Sequence, residues 1–256
     1  MANGLNQVDL AFVVDTTGSM GRFIVAAQQQ MIDVLQALTK DAQVAIDLQV
    51  GVVEYRDHPP EEQSFVYRVH GLTSKLARAR GAINKLQASG GGDPPEAVYD
   101  GLCAACDELS WRAHSRRIAV LVGDAPPHGV SRRGDNFPDG CPKGLTLDST
   151  TAGLEAKGIV IYTLGLTRQV AQSFADLAHY TGGQYFEARQ GDQAIETLKA
   201  LLIDEFSDLE FDRQVLDAWR RDQDGSMQAI CEALDSPRGK VSSSLSRLGR
   251  RRLLGQ

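Results

Sequence analysis

The hydrophobic pattern of this chain switches repeatedly between two periods. Residues 8–15, VDLAFVVD, are apolar at consecutive positions and stop on an aspartate. That predicts a strand covered on both faces, as in a parallel sheet. Residues 21–39, GRFIVAAQQQMIDVLQALT, follow with Phe23, Ile24, Ala27, Met31, Val34, Leu35 and Leu38 at helical spacing. A second strand is read over 44–57 (VAIDLQVGVVEYRD), and a third over 64–72 (SFVYRVHGL), whose alternation predicts an edge. Residues 74–87 read as a short amphipathic helix with Ser74 as its N-cap.

A glycine-rich loop, ASGGGDPPEA (88–97), runs into a helical pattern over 96–111. The strand RRIAVLVGD (116–124) is the most hydrophobic of the chain and also ends on an aspartate. After a long loop over 125–145 come a helix (147–158), a strand (159–166), a helix (170–182), a short strand (184–188) and a helix (192–209). Strands alternating with helices predict an α/β fold, a doubly wound, Rossmann-like and mainly parallel sheet. Such sheets bind ligands beyond the carboxyl ends of their strands, where Asp15 and Asp124 both fall.

The pattern changes after residue 208. DRQVLDAWRRD (212–222) reads as a short helix, and Ile230, Ala233 and Leu234, then Val241, Leu245 and Leu248, give helix, tight turn, helix. Residues 236–248 resemble the turn and recognition helix of winged-helix proteins. That resemblance makes Arg238, Lys240, Ser242, Ser243 and Arg247 candidate contacts to DNA, or to a partner protein. Charge divides at the same place: residues 213–256 hold nine Lys/Arg against five Asp/Glu, or +4, while the whole chain is −6 and the first 212 residues therefore −10. Two units are expected, 1–208 and an all-helical 209–256, with different partners.

No apolar run approaches the ~20 residues of a membrane span, and MANGLNQVDL lacks the basic start and apolar stretch of a signal peptide. A soluble cytoplasmic chain is expected. Cys103 and Cys106 lie three apart on one helix face and read as small buried thiols, since no second pair completes a zinc set.

The candidate chemistry lies in FVVDTTGSMG. Asp15, Thr17 and Ser19 alternate on a strand-to-helix turn, where such side chains converge on one point. A carboxylate with two hydroxyls is a hard, oxygen-only set suited to Mg2+ or Mn2+. Taken alone, the same residues are equally good helix caps. Asp124 and Asp93 are the carboxylates placed to join them. Arg56, Asp57, His58 and His128 follow strand ends and are candidates to border the site on the partner-binding face, or to serve turns before Pro59 and Pro60.

DTTGSM resembles the Asp-x-Ser/Thr-x-Ser motif of von Willebrand factor A (vWA) domains. Their metal-ion-dependent adhesion site is completed from a second loop, usually by threonine, and by an aspartate ending the fourth strand. The resemblance places Asp124 at the latter and Asp93, in GGGDPPEAVYDGL, at the former. Together with VVEYRDH and GCPKGL it is similar to vWA domains attached to alpha-kinases and their bacterial relatives. It implies a Mg2+-dependent, non-catalytic protein-interaction module, an adaptor or regulator in a bacterial stress or conflict system. A third carboxylate is expected to strengthen cation binding and weaken the attraction of acidic partners. A DNA-binding regulator is the second expectation. A phosphatase of the haloacid dehalogenase type is the third and weakest, since Thr17 stands where that family carries an acidic residue.

Overall fold

The computed structural model describes residues 5–40, 46–130, 133–188, 192–221 and 226–254. Six strands run β1 (Gln7–Asp15), β2 (Asp47–Tyr55), β3 (Tyr67–Thr73), β4 (Arg116–Gly123), β5 (Ile159–Gly165) and β6 (Tyr185–Glu187). They form one sheet in the order β3-β2-β1-β4-β5-β6, with β3 the antiparallel edge and every other pairing parallel. The helices are α1 (Ile24–Lys40), α2 (Leu76–Ile83), α3 (Val98–Glu108), α4 (Leu147–Ala156), α5 (Ala171–Thr181), α6 (Asp192–Arg221), α7 (Met227–Ala233) and α8 (Arg238–Arg250). The doubly wound sheet expected from the alternating pattern is the one observed.

β1 shows why its run is unbroken. Leu10, Phe12 and Val14 face a core shared with α1, α2 and α6, whereas Ala11 and Val13 face one shared with α3, α4 and α5. Each valine, leucine or phenylalanine so buried contributes roughly 1.5–3 kcal/mol. The strand sits at the sheet centre, between β2 and β4, so its carboxyl end lies where the connections diverge to opposite faces.

Three helix readings need correction. The expected helix at 21 begins at Ile24, because residues Gly18–Arg22 close a tighter 3-10 turn around the buried Met20. α2 starts at Leu76 with Lys75 at the cap position, and Ser74 does not cap it. The two helices read over 192–209 and 212–222 are one, α6, continuous to Arg221. Of the second-strand reading, Val44 and Ala45 lie outside the described residues, as does Asp222 at the end of the last.

α6 serves two cores. Leu202 and Leu209 pack into the sheet's core, while Val215, Leu216 and Ala218 join Leu5, Ile230, Val241, Leu248 and Leu253 in a small third one. α8 is fixed to α6 by charge. Asp212 is fully buried and accepts from the Ser244 hydroxyl at 2.7 Å and from Arg247 Nη2 at 2.5 Å, and Arg247 also meets Asp208 at 2.9 Å. Buried Arg251 donates to the carbonyls of His114 and Leu5. Those residues precede β4 and β1, so the C-terminal helices close over the amino-terminal end of the sheet.

Candidate metal centre

At the opposite end, β1 stops on Asp15 and the chain turns sharply. Asp15 Oδ1 accepts from the Thr17 amide at 2.9 Å and from its hydroxyl at 2.6 Å. Thr17 Oγ1 lies 3.2 Å from Ser19 Oγ, which donates to Asp124 Oδ1 at 2.8 Å. Asp15, Thr17, Ser19 and Asp124 therefore form one continuous oxygen chain. Thr17 occupies the cap position of the 3-10 turn, yet its side chain caps nothing. The hydroxyl is turned toward the Asp15 carboxylate, which also accepts the Thr17 amide.

The glycine-rich loop is laid directly on that turn. Gly18 donates to the Gly90 carbonyl at 2.8 Å, and Gly90 and Gly91 both adopt positive φ, 76° and 77°. A Cβ on Gly91 would stand 3.1 Å from Thr17 Cβ and 3.0 Å from Glu96 Oε1. This approach brings in Glu96 rather than Asp93. Glu96 is buried, is held by a backbone bridge to Pro127, and has Thr17 and Asp15 as its neighbours. Asp93 instead accepts from the Asn136 amide at 2.7 Å and faces Asp57 and His128. It lines the outer part of the same cleft, about 450 Å³ bounded by Gly18, Ser19, Gly90–Gly92 and Glu96. Glu96 is thus the carboxylate of the second loop nearest Asp15 and Thr17, and Asp93 lines the same cleft.

The electrostatics single out the same group of residues. Burial raises Asp15 to about 7 against the two Thr17 hydrogen bonds, and burial followed by the Asp15 charge raises Glu96 to about 11. Burial also raises Asp124 despite the Ser19 hydrogen bond, and lifts Asp93 to about 6. Asp15 Oδ2, Glu96 Oε2 and, further along the loop, Asp93 Oδ1 are buried without hydrogen-bond partners. Tyr55, fully buried with an unpartnered hydroxyl, lies under the same carboxylates; burial and the Asp15 charge push its phenol up. Three converging carboxylates and two hydroxyls offer only hard oxygen ligands, and their mutual repulsion is what a small divalent cation relieves.

The four residues expected to border a partner are interior instead. Arg56 donates to the Ser64 hydroxyl and the Gln87 carbonyl, pairs with Glu62 and stacks on Phe65. Asp57 Oδ1 accepts from His128 Nε2 at 2.7 Å, and His128 Nδ1 meets Asp135 at 3.0 Å. Burial lowers His128, but its two carboxylates outweigh burial and raise it. His58 meets Asp100 at 3.0 Å, which, with Cys141, overcomes burial and lifts it to about 9. All four are nearly inaccessible to solvent and cannot touch a partner. Cys103 and Cys106 lie on α3: Cys103 faces Thr150, and Cys106, in the core, is pushed up to about 11 by burial.

At the other end, Arg238, Ser242 and Ser243 are exposed, as is Lys240, which lies 4.2 Å over the Phe211 ring. Arg247 is not a surface contact, because Asp208 and Asp212 hold it against α6.

An α/β sheet of this order, with an oxygen-lined turn at the end of its first strand, is the architecture of vWA domains. Residues 9–128 match the von Willebrand factor A domain family. The chain is 29% identical over 158 residues to alpha-protein kinase vwkA of Dictyostelium discoideum, covering 60% of this chain and 24% of that protein. It is 31% identical over 207 residues to a putative ariadne-like RING finger protein of Acanthamoeba polyphaga mimivirus, covering 77% and 20%. It thus spans about a quarter or less of these relatives. The solved von Willebrand factor type A structure from Catenulispora acidiphila shares the fold, with TM-score 0.54 and 15% identity over 76% of this chain and 42% of that one. The family match over residues 9–128, the two relatives and the solved fold all make this chain similar to vWA domains. Among the described residues no helix is long and apolar enough to cross a membrane.

Proposed function

We propose that the carboxyl-end face of this chain holds Mg2+ or Mn2+ through Asp15, Thr17, Ser19, Glu96 and Asp124, and that the chain is a non-catalytic, cation-dependent adaptor between proteins. vWA domains are protein-interaction modules. The observation that carries the cation is the pair of buried carboxylate oxygens without partners, Asp15 Oδ2 and Glu96 Oε2, beside a chain of hydroxyls. Burying such groups unpaired is costly, and a hard dication is the group that their chemistry fits.

When bound, the cation supplies a positive coordination point for an oxygen of the partner. Three carboxylates around a dication leave a formal −1, so neutral oxygens, amide carbonyls or hydroxyls, are better ligands here than a partner's acidic side chain. Catalysis has no support of the same kind. Thr17 stands two residues after Asp15 and donates to it, where an acid/base residue would be needed. In this reading α7 and α8 dock a second protein, with Arg238, Lys240, Ser242 and Ser243 on their accessible side.

Calorimetric titration of Mg2+ into the chain tests the cation, with binding expected for the wild type and absent in Asp15→Ala. Partner recovery on the immobilised chain is expected in Mg2+ and lost in chelator or in Asp15→Ala. Equal recovery with and without chelator would overturn the adaptor reading.

A further inference from the structure

A second cluster lies some way into the protein from the oxygen-lined turn, and its chemistry is different. His58 follows β2, Asp100 is in the first turn of α3, and Cys141 belongs to the loop between β4 and α4. All three are buried. Asp100 Oδ2 lies 3.0 Å from His58 Nε2 and 3.2 Å from Cys141 Sγ, and that sulfur is 3.6 Å from the same Nε2.

Three atoms converge on one point, which argues against a catalytic relay. A Cys–His–Asp relay places thiol and carboxylate on opposite ring nitrogens. Here both approach Nε2. Hydrogen bonding also closes the triangle poorly: once thiol and imidazole both donate to Asp100, the contact between sulfur and nitrogen has no proton of its own. A cation at the centre satisfies all three. Zinc bonds of about 2.0 Å to nitrogen and oxygen and 2.3 Å to sulfur, at tetrahedral angles, set such atoms roughly 3.3–3.5 Å apart, so the oxygen, at 3.0 and 3.2 Å from its two neighbours, has only to draw back slightly.

The surroundings are those of a supported ligand set. The Lys143 amide points at Cys141 Sγ from 3.4 Å, inside a turn closed by Gly144 N–H to the Cys141 carbonyl, which fixes where the sulfur lies. Lys143 Nζ holds the other Asp100 oxygen at 2.8 Å, fixing the carboxylate with Oδ2 turned inward. Phe137 packs edge-on against His58, supplying an apolar wall. The neighbouring cluster of Asp93, His128 and Asp135 lacks this freedom, because both His128 nitrogens already face carboxylates, Asp57 and Asp135.

We infer that His58 Nε2, Asp100 Oδ2 and Cys141 Sγ form a zinc site, separate from the oxygen-lined centre and selective against Mg2+ through its nitrogen and sulfur. Three protein ligands leave zinc's fourth position to water. The ion ties the strand end, α3 and the loop carrying Phe137 and Asn136 together, and so braces the Asp93–Glu96 segment from behind.

The test uses the full chain dialysed into zinc-free buffer, then titrated with Zn2+ and, separately, Co2+. About one zinc per chain is expected for the wild type, unchanged in excess Mg2+ and in Asp15→Ala, and under about a tenth of that in Cys141→Ser and His58→Gln. Cobalt should show a thiolate charge-transfer band that survives Cys103→Ser and disappears in Cys141→Ser. Where those variants fail to fold, X-ray absorption at the zinc edge of the wild type decides, one sulfur in the shell being expected. A wild type without stoichiometric zinc, a shell with no sulfur or several, or a cobalt band retained in Cys141→Ser would overturn the site.

Discussion

Glu96 and Asp93 sit three residues apart in one loop, and only one of them meets Asp15 and Thr17. Glu96→Gln is therefore expected to lower Mg2+ affinity about tenfold, or roughly 1.4 kcal/mol, in calorimetric titration, while Asp93→Asn changes it far less. The reverse order would return the assignment to Asp93. Gly91→Ala faces two obstacles, a φ of 77° and Thr17 Cβ 3.1 Å from the new methyl. It should destabilise the fold by about 1–3 kcal/mol in urea unfolding and weaken cation binding as well. That Asp15, Thr17, Ser19 and Asp124 come together was readable because alternation on a turn and a strand-end position both appear in the letters. Glu96 was not, because spacing does not say which carboxylate of DPPE turns inward. That is set by two left-handed glycines and a bridge to Pro127. The grouping of His58 with Asp100 and Cys141 escaped for another reason: the loop carrying Cys141 reads as solvated, and its burial is decided by chain segments 41 and 83 residues away.

At the scale of elements, the strands were legible because a parallel sheet buries both faces, and the sequence then has no reason to alternate. A break is expected near 208, where α6 runs on without interruption. Leu209, one residue past it, packs in the sheet's core, and the same helix continues into the third core. The basic excess that suggested an anionic partner is partly internal, since Arg247 pairs with Asp208 and Asp212 while Arg251 donates to two carbonyls of the sheet's amino-terminal end. Asp212→Ala leaves the half-buried Arg247 short of its strongest partner, and burial already depresses Arg116, which Asp212 helps to hold charged. A loss of about 3–5 kcal/mol is expected, with α8 released from α6; unfolding by urea followed by circular dichroism measures it. A loss under 1 kcal/mol would mean that the apolar cluster alone holds the helix.

For the whole molecule, one helix shared by two cores predicts one cooperative unit. Thermal unfolding followed by calorimetry and by tryptophan fluorescence should give a single coincident transition, Trp219 reporting the helical part and Trp111 the sheet. Two separated transitions would restore an independent C-terminal module. The same architecture places the oxygen-lined turn and the α7–α8 pair at opposite ends of strands, with β1 alone nine residues long, or roughly 30 Å at ~3.3 Å per residue. Anything held by the cation and anything held by the terminal helices are then kept apart by a stiff strut. Two bound proteins would neither collide nor compete, and a linker joining them would have to span that gap before tethering raised the affinity of either.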